Sequence, residues 1–238
     1  MTLSLEKLVC MGKKMYCIIP ARGGSKRIKR KNVKQFLGVP AITRAVMNLK
    51  SMSFFTDIFV TTDDNEIKNK AQAAGAKVPF LRSASLSNDQ TPTKPVISDA
   101  IVRLNLHPDD MVFCTYPTAF FLQRSDLEAA LAKLEAGSKW VLALAKYASP
   151  IERAFVEQDG NFVPNKPVFM SKRTQDLTSY FYDVGQFYGA RAKDWVDDSQ
   201  NIWDHASAVV VPRHCAVDID TDDDWKYAEA LFKVNEQT

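Results

Sequence analysis

A dense group of cationic side chains follows the first apolar segment of the chain. Ile18, Ile19 and Pro20 lead into the paired glycines Gly23 and Gly24. Seven basic residues and no acidic residue occur between positions 22 and 34: Arg22, Lys26, Arg27, Lys29, Arg30, Lys31 and Lys34. Glycine backbone can approach an anion closely, and clustered cations attract compact, highly charged anions. We therefore expect residues 22–34, the basic loop, to bind phosphate.

A basic run of this length is also typical of a solvated face or of a nucleic-acid-binding patch. This segment has no aromatic residue to stack on bases, and it follows an apolar, strand-like run. It also lacks the spacings G-x-x-x-x-G-K-[ST] and G-x-G-x-x-G, so it indicates neither a P-loop enzyme nor a nicotinamide enzyme. We expect a nucleotide as ligand and no stable nucleic-acid partner.

Two carboxylates near the C-terminus are candidates for binding a cation. In an extended segment, Asp218 and Asp220 point to one face while Ile219 points to the core. Two acids beside a phosphate site favour a hard cation, and Mg²⁺ fits best. The alternative is that acids here only cap the last helix, which we expect of residues 222–224. Capping does not explain the alternation, so we assign Asp218 and Asp220 to a metal.

The chain offers no convincing nucleophile for covalent catalysis. Its three histidines, His107, His205 and His214, have no evident catalytic partner, and no Ser-His-Asp or Cys-His arrangement is apparent. A cationic loop with metal-binding carboxylates instead indicates transfer at phosphorus, achieved by positioning and charge neutralisation.

The elements that must position these residues alternate between short apolar strands and helical patterns. We expect strands near residues 16–19, 58–61, 111–115, 141–145 and 208–211, and helices near residues 42–52, 65–74, 95–104, 125–135 and 223–232. This alternation predicts an α/β, Rossmann-like fold, with a mostly parallel sheet and helices on both faces. Ligands bind beyond the carboxyl ends of such strands, where the basic loop would meet residues 62–64 and 116–118. Ser125 with Glu128 predicts a capping box on the fourth helix.

The chain divides into a short extension and one domain. Residues 1–14 precede the first strand and are expected to form an N-terminal extension, and residues 15–238 a single domain. The alternation breaks at about residues 147–182, where residues 154–163 contain a Gln-Asp-Gly-Asn turn and predict a hairpin. A hairpin this small has no core of its own, so we interpret residues 147–182 as an inserted dimerisation arm and expect a homodimer.

Composition bears on the cellular compartment of the protein and on whether it contacts a membrane. Net charge is only +3, although no acid lies between Lys7 and Thr56. The four cysteines have no C-x-x-C spacing, so we expect reduced core thiols. No apolar run approaches membrane-spanning length, and no secretory pattern precedes the first strand. We therefore expect a cytoplasmic protein with no membrane partner.

Four motifs, in order along the chain, resemble those of one enzyme family. They are residues 19–26 with Lys31 and Asn32, residues 61–64, residues 78–82, and residues 218–221 with Asp224 and Trp225. Together they resemble the CMP-sialic acid synthetases, or acylneuraminate cytidylyltransferases. Within that family, residues 118–119, 121–123, 173–177 and 183–188 look most like the bacterial pseudaminic acid cytidylyltransferases.

The resemblance implies a reaction and a set of site residues. CTP and an acidic nine-carbon sugar would give pyrophosphate and a CMP-sugar for surface glycans, with Mg²⁺ as cofactor. By position, Arg22, Lys31 and Asp220 would be catalytic, and CTP would contact Ala21, Arg22, Gly23, Ser25, Lys26, Asn32 and Arg82. Asp218 and Asp220 would hold the metal, and Gln123, Gln186 and Tyr188 would face the sugar.

The sequence departs from the family pattern at positions that bear on the sugar. Residues 114–121 lack a glutamine that sialic acid enzymes commonly carry there, which argues against ordinary sialic acid. Gly189 stands where the pseudaminic group usually has tryptophan, and Lys29 where the family often has proline. We predict pseudaminic acid, with legionaminic, sialic or ketodeoxyoctonic acid as alternatives. A non-catalytic nucleotide- or RNA-binding module is a third possibility, but nucleic-acid binding would gain nothing from Asp218 and Asp220.

Overall fold

The computed structural model describes residues 13–235, so almost all of the expected extension at residues 1–14 lies outside the described residues. A central sheet is formed by β1 (Met15–Pro20), β4 (Asp57–Thr61), β5 (Met111–Thr115), β6 (Trp140–Lys146), β9 (Phe181–Arg191) and β10 (Ser207–Val210). Short strands β2 (Gln35–Phe36) and β3 (Val39–Pro40) pair with each other, as do β7 (Phe155–Gln158) and β8 (Asn161–Pro164). The helices are α1 (Ala41–Ser51), α2 (Asn65–Ala73), α3 (Thr93–Arg103), α4 (Arg124–Glu135), α5 (Ala192–Val196) and α6 (Asp222–Asn235).

The strand order β10-β6-β9-β5-β1-β4 confirms a mostly parallel sheet. β1 runs parallel to β4 and β5, and β10 runs parallel to β6. The exception is β9, which is antiparallel to both β5 and β6. Because β1, β4 and β5 are parallel, their carboxyl ends meet at one edge of the sheet, as the sequence predicts.

Both faces of the sheet are covered, which explains why β1 is apolar at nearly every position. Cys17 and Ile19 pack into one core with residues of α1, α2 and α4. Tyr16 and Ile18 pack into the opposite core with residues of α3 and α5. Alternate side chains of a strand point to opposite faces, so one short segment joins the two cores.

The predicted capping box of α4 is wrong. The helix begins at Arg124, so Ser125 already lies within its first turn. The carboxylate of Asp126 accepts a hydrogen bond from the backbone N–H of Gln123 at 3.2 Å, while Glu128 pairs with Arg124 at 2.8 Å. Gln123 is extended, with φ −107° and ψ 152°, and acts as the N-cap, so the helix begins one residue ahead of Ser125.

A separate hairpin lies between β6 and β9. β7 and β8 pair across Asp159 and Gly160, whose φ angles of 51° and 78° match the turn that favours Asp-Gly. The hairpin is confirmed at the predicted place, and the strand residues of β7 are exposed. In residues 13–235, no helix combines the length and apolar character needed to cross a bilayer.

Candidate active site

A cavity of about 760 Å³ opens at the carboxyl ends of β1 and β5. Within residues 13–235, its charged lining residues are five cations and four carboxylates. The cations are Arg22, Lys26, Arg27, Lys31 and Arg82. The carboxylates are Asp89, Asp183, Asp218 and Asp220. The cations of the cavity can therefore bind phosphate, and its carboxylates can bind a metal ion or a hydrogen-bond donor.

The start of the basic loop is tied to the chain that follows β4. The N–H of Ala21 donates to the carbonyl of Thr61 at 3.0 Å, and the N–H of Gly23 donates to Asp63 at 2.9 Å. A Cβ on Gly23 would lie 2.7 Å from a carboxylate oxygen of Asp64, so a larger residue here would displace that side chain. Ala21 and Gly23 thus shape the loop without lining the cavity, whereas Ser25 lines it.

Two cations of the basic loop are paired with a distant acid. Arg22 and Lys26 both form salt bridges with Asp89. Hydrogen bonds from Lys26 and then from Arg22 hold the pKa of Asp89 below its usual range. Asp89 lies between the short helical turn Ala84–Leu86 and α3. Its carboxylate neutralises two cations of the loop that the sequence predicts to bind phosphate.

Lys31 joins the basic loop to the acidic segment near the C-terminus. Its ammonium donates to the carbonyl of Ile219 and lies 3.6 Å from a carboxylate oxygen of Asp220. Burial lowers the pKa of Lys31, and Asp220 and Asp218 partly oppose this change. Arg27 also pairs with Asp220, at 2.5 Å. The site brings together two residues, Lys31 and Asp220, that are far apart in the sequence.

Asp218 and Asp220 point into the cavity as their alternation predicts. Ile219, between them, is 1% exposed and belongs to a core cluster. Burial first, and then the charge of Asp220, raise the pKa of Asp218 above its usual range. The described residues contain no group of three or more His, Cys, Asp or Glu side chains arranged around one point. A carboxylate pair nevertheless fits Mg²⁺, because this ion commonly takes one or two carboxylates and completes its shell with phosphate and water.

The acidic segment is held in place by the cap of α6. The carboxylate of Asp224 accepts hydrogen bonds from the N–H groups of Asp220 at 3.1 Å and Thr221 at 2.8 Å. The hydroxyl of Thr221 accepts one from the N–H of Asp224 at 3.2 Å. The three acids Asp222, Asp223 and Asp224 all lie in the first turn of the helix. These bonds confirm the predicted capping role for Asp224, whereas Asp222 and Asp223 form salt bridges with Lys34 and Lys226.

Asn32 and Arg82 are nearly buried parts of the cavity wall. Asn32 is 9% exposed, and its amide donates to the carbonyl of Arg22 at 2.8 Å. Arg82 is 6% exposed; its backbone N–H donates to Thr62 at 2.8 Å and its Nε to the hydroxyl of Ser87 at 3.1 Å. Burial lowers the pKa of Arg82 from its usual value. Two rigidly held donors of this kind can recognise the edge of a planar base.

The comparisons with known proteins agree with this architecture. A family model described as cytidylyltransferase matches residues 16–196. The chain belongs to the cytidylyltransferase family. The pseudaminic acid cytidylyltransferase of Campylobacter jejuni is 38% identical over 94% of this chain and 99% of its own length. The CMP-N,N'-diacetyllegionaminic acid synthase of Legionella pneumophila is 27% identical over 94% of this chain and 98% of its own length.

Solved structures show the same fold. A CMP:2-keto-3-deoxy-manno-octonic acid synthetase in complex with CTP has a TM-score of 0.67 and 17% identity, and the match covers 94% of this chain and 100% of that one. A 4-diphosphocytidyl-2C-methyl-D-erythritol synthase from Anaerococcus prevotii has a TM-score of 0.63 and 13% identity, over 93% of this chain and 99% of that one. These structures confirm the Rossmann-like fold. The family model and the relative from Campylobacter jejuni confirm the predicted resemblance to the CMP-sialic acid synthetase family and its pseudaminic acid members.

In this cytidylyltransferase, one of the three side chains assigned to the sugar reaches the cavity. Tyr188 lines it. Gln186 is 1% exposed, and its amide donates to the carbonyl of Cys215, so the core holds it. Gln123 is exposed at the start of α4, where its amide donates to Phe121 at 3.3 Å. The cavity wall does not include either glutamine.

Other cavity residues of the cytidylyltransferase are missing from the sequence-based assignment. Asp183 and Tyr116 line the cavity beside Tyr188, and Asp89 lines its cationic side. A signal existed for Asp183, because it begins the motif that contains Gln186 and Tyr188. No local signal marks Asp89, since its importance comes from Arg22 and Lys26, more than sixty positions earlier in the chain.

Proposed function

We propose that this cytidylyltransferase transfers CMP from CTP to a nonulosonic acid, specifically pseudaminic acid, and releases pyrophosphate. One observation carries the proposal: a single cavity joins a cationic loop to a pair of carboxylates on a separate segment. The relative from Campylobacter jejuni, which spans nearly the whole chain, supports pseudaminic acid as the acceptor.

The residues of the basic loop would hold the triphosphate. Arg22, Ser25 and Lys26 line the cavity and would bind phosphate oxygens once CTP displaces Asp89 from the two cations. Lys31, already anchored on the carbonyl of Ile219, would neutralise charge that develops on the leaving pyrophosphate. Asn32 and Arg82 would bind the cytosine, because both are fixed donors in the wall.

Asp218 and Asp220 would bind Mg²⁺. When bound, the ion would supply charge neutralisation at the α-phosphate and the departing pyrophosphate. The segment keeps both carboxylates directed into the cavity, because Ile219 is buried between them and Asp224 binds the backbone that follows. The chain's contribution is therefore a pair of oriented oxygen ligands beside the phosphate site.

The decisive experiment measures pyrophosphate release with a panel of acidic sugars and nucleotides. We expect turnover with CTP, Mg²⁺ and pseudaminic acid, slower turnover with legionaminic, sialic or ketodeoxyoctonic acid, and little with ATP or GTP. Equal rates with a purine triphosphate would contradict the cytidylyl assignment. A faster rate with another sugar would retain the reaction and correct the acceptor. Binding of CTP with no turnover of any sugar would favour the non-catalytic module.

We also propose that residues 147–182 form an arm that packs on a second copy of the chain. The hairpin exposes large apolar side chains, including Phe155 at 52% and Phe162 at 69%. An isolated two-stranded hairpin is marginally stable, so these side chains need a partner surface. Light scattering should give twice the chain mass. Replacement of both phenylalanines by serine should give monomers, and a fully active wild-type monomer would refute the proposal.

We also propose that the enzyme acts in the cytoplasm. The described cysteines Cys17, Cys114 and Cys215 are free and buried, in agreement with a reducing compartment. Fractionation of the source cells tests this placement directly.

A further inference from the structure

An irregularity in β9 brings together two side chains that a regular strand would separate. Asp183 and Tyr188 are five positions apart, so an unbroken alternation would direct them to opposite faces. The pairing with β6 shifts here: Leu142 lies opposite Tyr188, whereas Leu144 lies opposite Asp183. Gly185, between them, has a φ of +60°, which side-chain-bearing residues rarely adopt. Both Asp183 and Tyr188 consequently line the cavity.

The bulge holds the Asp183 carboxylate with two neutral donors. The N–H of Gly185 donates to one oxygen at 2.9 Å, and the hydroxyl of Tyr188 donates to the other at 2.5 Å. Burial raises the pKa of Tyr188 above its usual range, so this hydroxyl keeps its proton. Tyr116 packs edge-on against the Tyr188 ring, with centroids 6.0 Å apart. The carboxylate is therefore fixed in direction before any substrate arrives.

Asp183 differs from the other carboxylates of the cavity in its partners. Asp89 is paired with Arg22 and Lys26, and Asp220 is paired with Arg27 and Lys31. Asp218 belongs to the proposed metal pair. The hydrogen bonds that Asp183 accepts from Gly185 and Tyr188 come from neutral groups, one to each oxygen. Since each carboxylate oxygen accepts about two hydrogen bonds, both oxygens retain capacity for another donor.

We propose that Asp183 determines acceptor specificity by accepting a hydrogen bond from a neutral hydroxyl or amide N–H group of the acidic sugar. This inference rests on the proposed function and names the residue that recognises the acceptor. The same charge repels the carboxylate of the sugar. It therefore orients the sugar with its anionic end toward the cations and its neutral donors toward the β9 bulge. Bulges beside active sites commonly redirect a side chain in this way.

The test compares Asp183→Asn with the wild-type enzyme. The substitution keeps the size of the side chain but removes its charge and presents an N–H group to one of the two donors. We expect kcat/KM for the sugar to fall by at least about ten-fold, because a half-buried carboxylate held in position to accept a hydrogen bond favours a sugar that donates one. KM for CTP should stay within about two-fold, since Asp183 does not contact the cations. Asp57→Asn, which alters a salt bridge with Lys77 away from the cavity, is the matched control.

A set of sugar analogues, each lacking one hydroxyl or amide N–H, separates recognition from a purely structural role. With the wild-type enzyme, one analogue should have a kcat/KM about ten-fold lower than that of the intact sugar. With Asp183→Asn the difference between this analogue and the intact sugar should be much smaller. Tyr188→Phe keeps the carboxylate and should preserve that analogue's loss. If no analogue shows this coupling, or if Asp183→Asn changes the CTP and sugar parameters equally, Asp183 does not recognise the sugar. A wild-type enzyme with no turnover of any acidic sugar would overturn the proposed function as well.

Discussion

The two sides of the cavity are prepared for their ligands in different ways. On the nucleotide side, the cations Arg22 and Lys26 are already neutralised by Asp89. On the acceptor side, Asp183 is held by the neutral donors Gly185 and Tyr188. Under the proposed function, CTP would displace Asp89 from these two cations, whereas the sugar would meet a carboxylate that is already held in position. Clustered cations at a surface pair with the protein's own acids. A carboxylate held by neutral donors can instead keep its remaining acceptor capacity directed at a ligand.

The largest expected effect concerns Asp220, the acid that joins the basic loop to the segment of the proposed metal ligands. Asp220→Asn removes one proposed metal ligand and the partner of Arg27 and Lys31. We expect kcat to fall by at least about 100-fold at saturating CTP, sugar and Mg²⁺. Asp222→Asn is the control, because Asp222 pairs with Lys34 in the first turn of α6 and does not line the cavity. Equal activities of the two variants would show that Asp220 only supports the local structure.

A smaller effect should separate the nucleotide side from the acceptor side. Arg82→Lys keeps the charge but loses the planar group whose Nε binds Ser87. We expect KM for CTP to rise by about ten-fold, with little change in KM for the sugar. Steady-state kinetics with each substrate varied in turn measures both constants. A rise confined to the sugar would place Arg82 on the other side of the cavity.

A further prediction concerns Asp64, which stabilises the start of α2 and the basic loop. Asp64 caps α2 by accepting from the N–H of Ile67 at 2.9 Å, and it pairs with Arg30 of the basic loop. Asp64→Ala should lower the free energy of unfolding by about 1 to 2 kcal/mol at neutral pH, while Asp64→Asn, which can still cap, should cost less.

The same variant has a defined pH dependence. The hydrogen bond from Arg30, more than any other cause, holds the pKa of Asp64 below its usual value. Its stabilising effect is therefore complete above the unfolded-state pKa of about 4 and is lost as the pH falls through the lower folded-state pKa. Denaturant unfolding at several pH values should show the wild-type and Asp64→Ala curves converging in acid. A constant difference would mean that the charge of Asp64 is unimportant.

The smallest effect concerns the proposed displacement of Asp89 from Arg22 and Lys26 by CTP. Asp89→Asn removes the acid that competes with triphosphate for Arg22 and Lys26. CTP affinity should rise a few-fold at low ionic strength, and the gain should shrink as salt screens these exposed charges. Calorimetric titration at two salt concentrations measures this gain, with Asp57→Asn as control. Weaker CTP binding would instead show that Asp89 supports the bound state.

The difference between the two sides also explains which residues the sequence could reveal. The basic loop follows β1 without interruption, and the register of parallel strands places residues after β4 beside it. Charge and order along the chain are therefore sufficient to indicate that these segments meet at the proposed nucleotide side. The motifs led us to assign Gln123 and Gln186 to the sugar, but both side chains lie outside the cavity. A motif does not specify the direction in which its side chains point. The register shift in β9 decides that, and it directs Asp183 into the cavity.

The sequence by itself determined the alternation of strands and helices, the basic loop and the orientation of Asp218 and Asp220 around Ile219. These features depend on near neighbours, through apolar periodicity, backbone conformation and local charge. Only the tertiary structure decided that Asp89 occupies Arg22 and Lys26, and that Asp183 and Tyr188 share a wall. Such pairings depend on contacts between distant segments and on one shifted strand register, and neither has a local pattern that a single sequence displays.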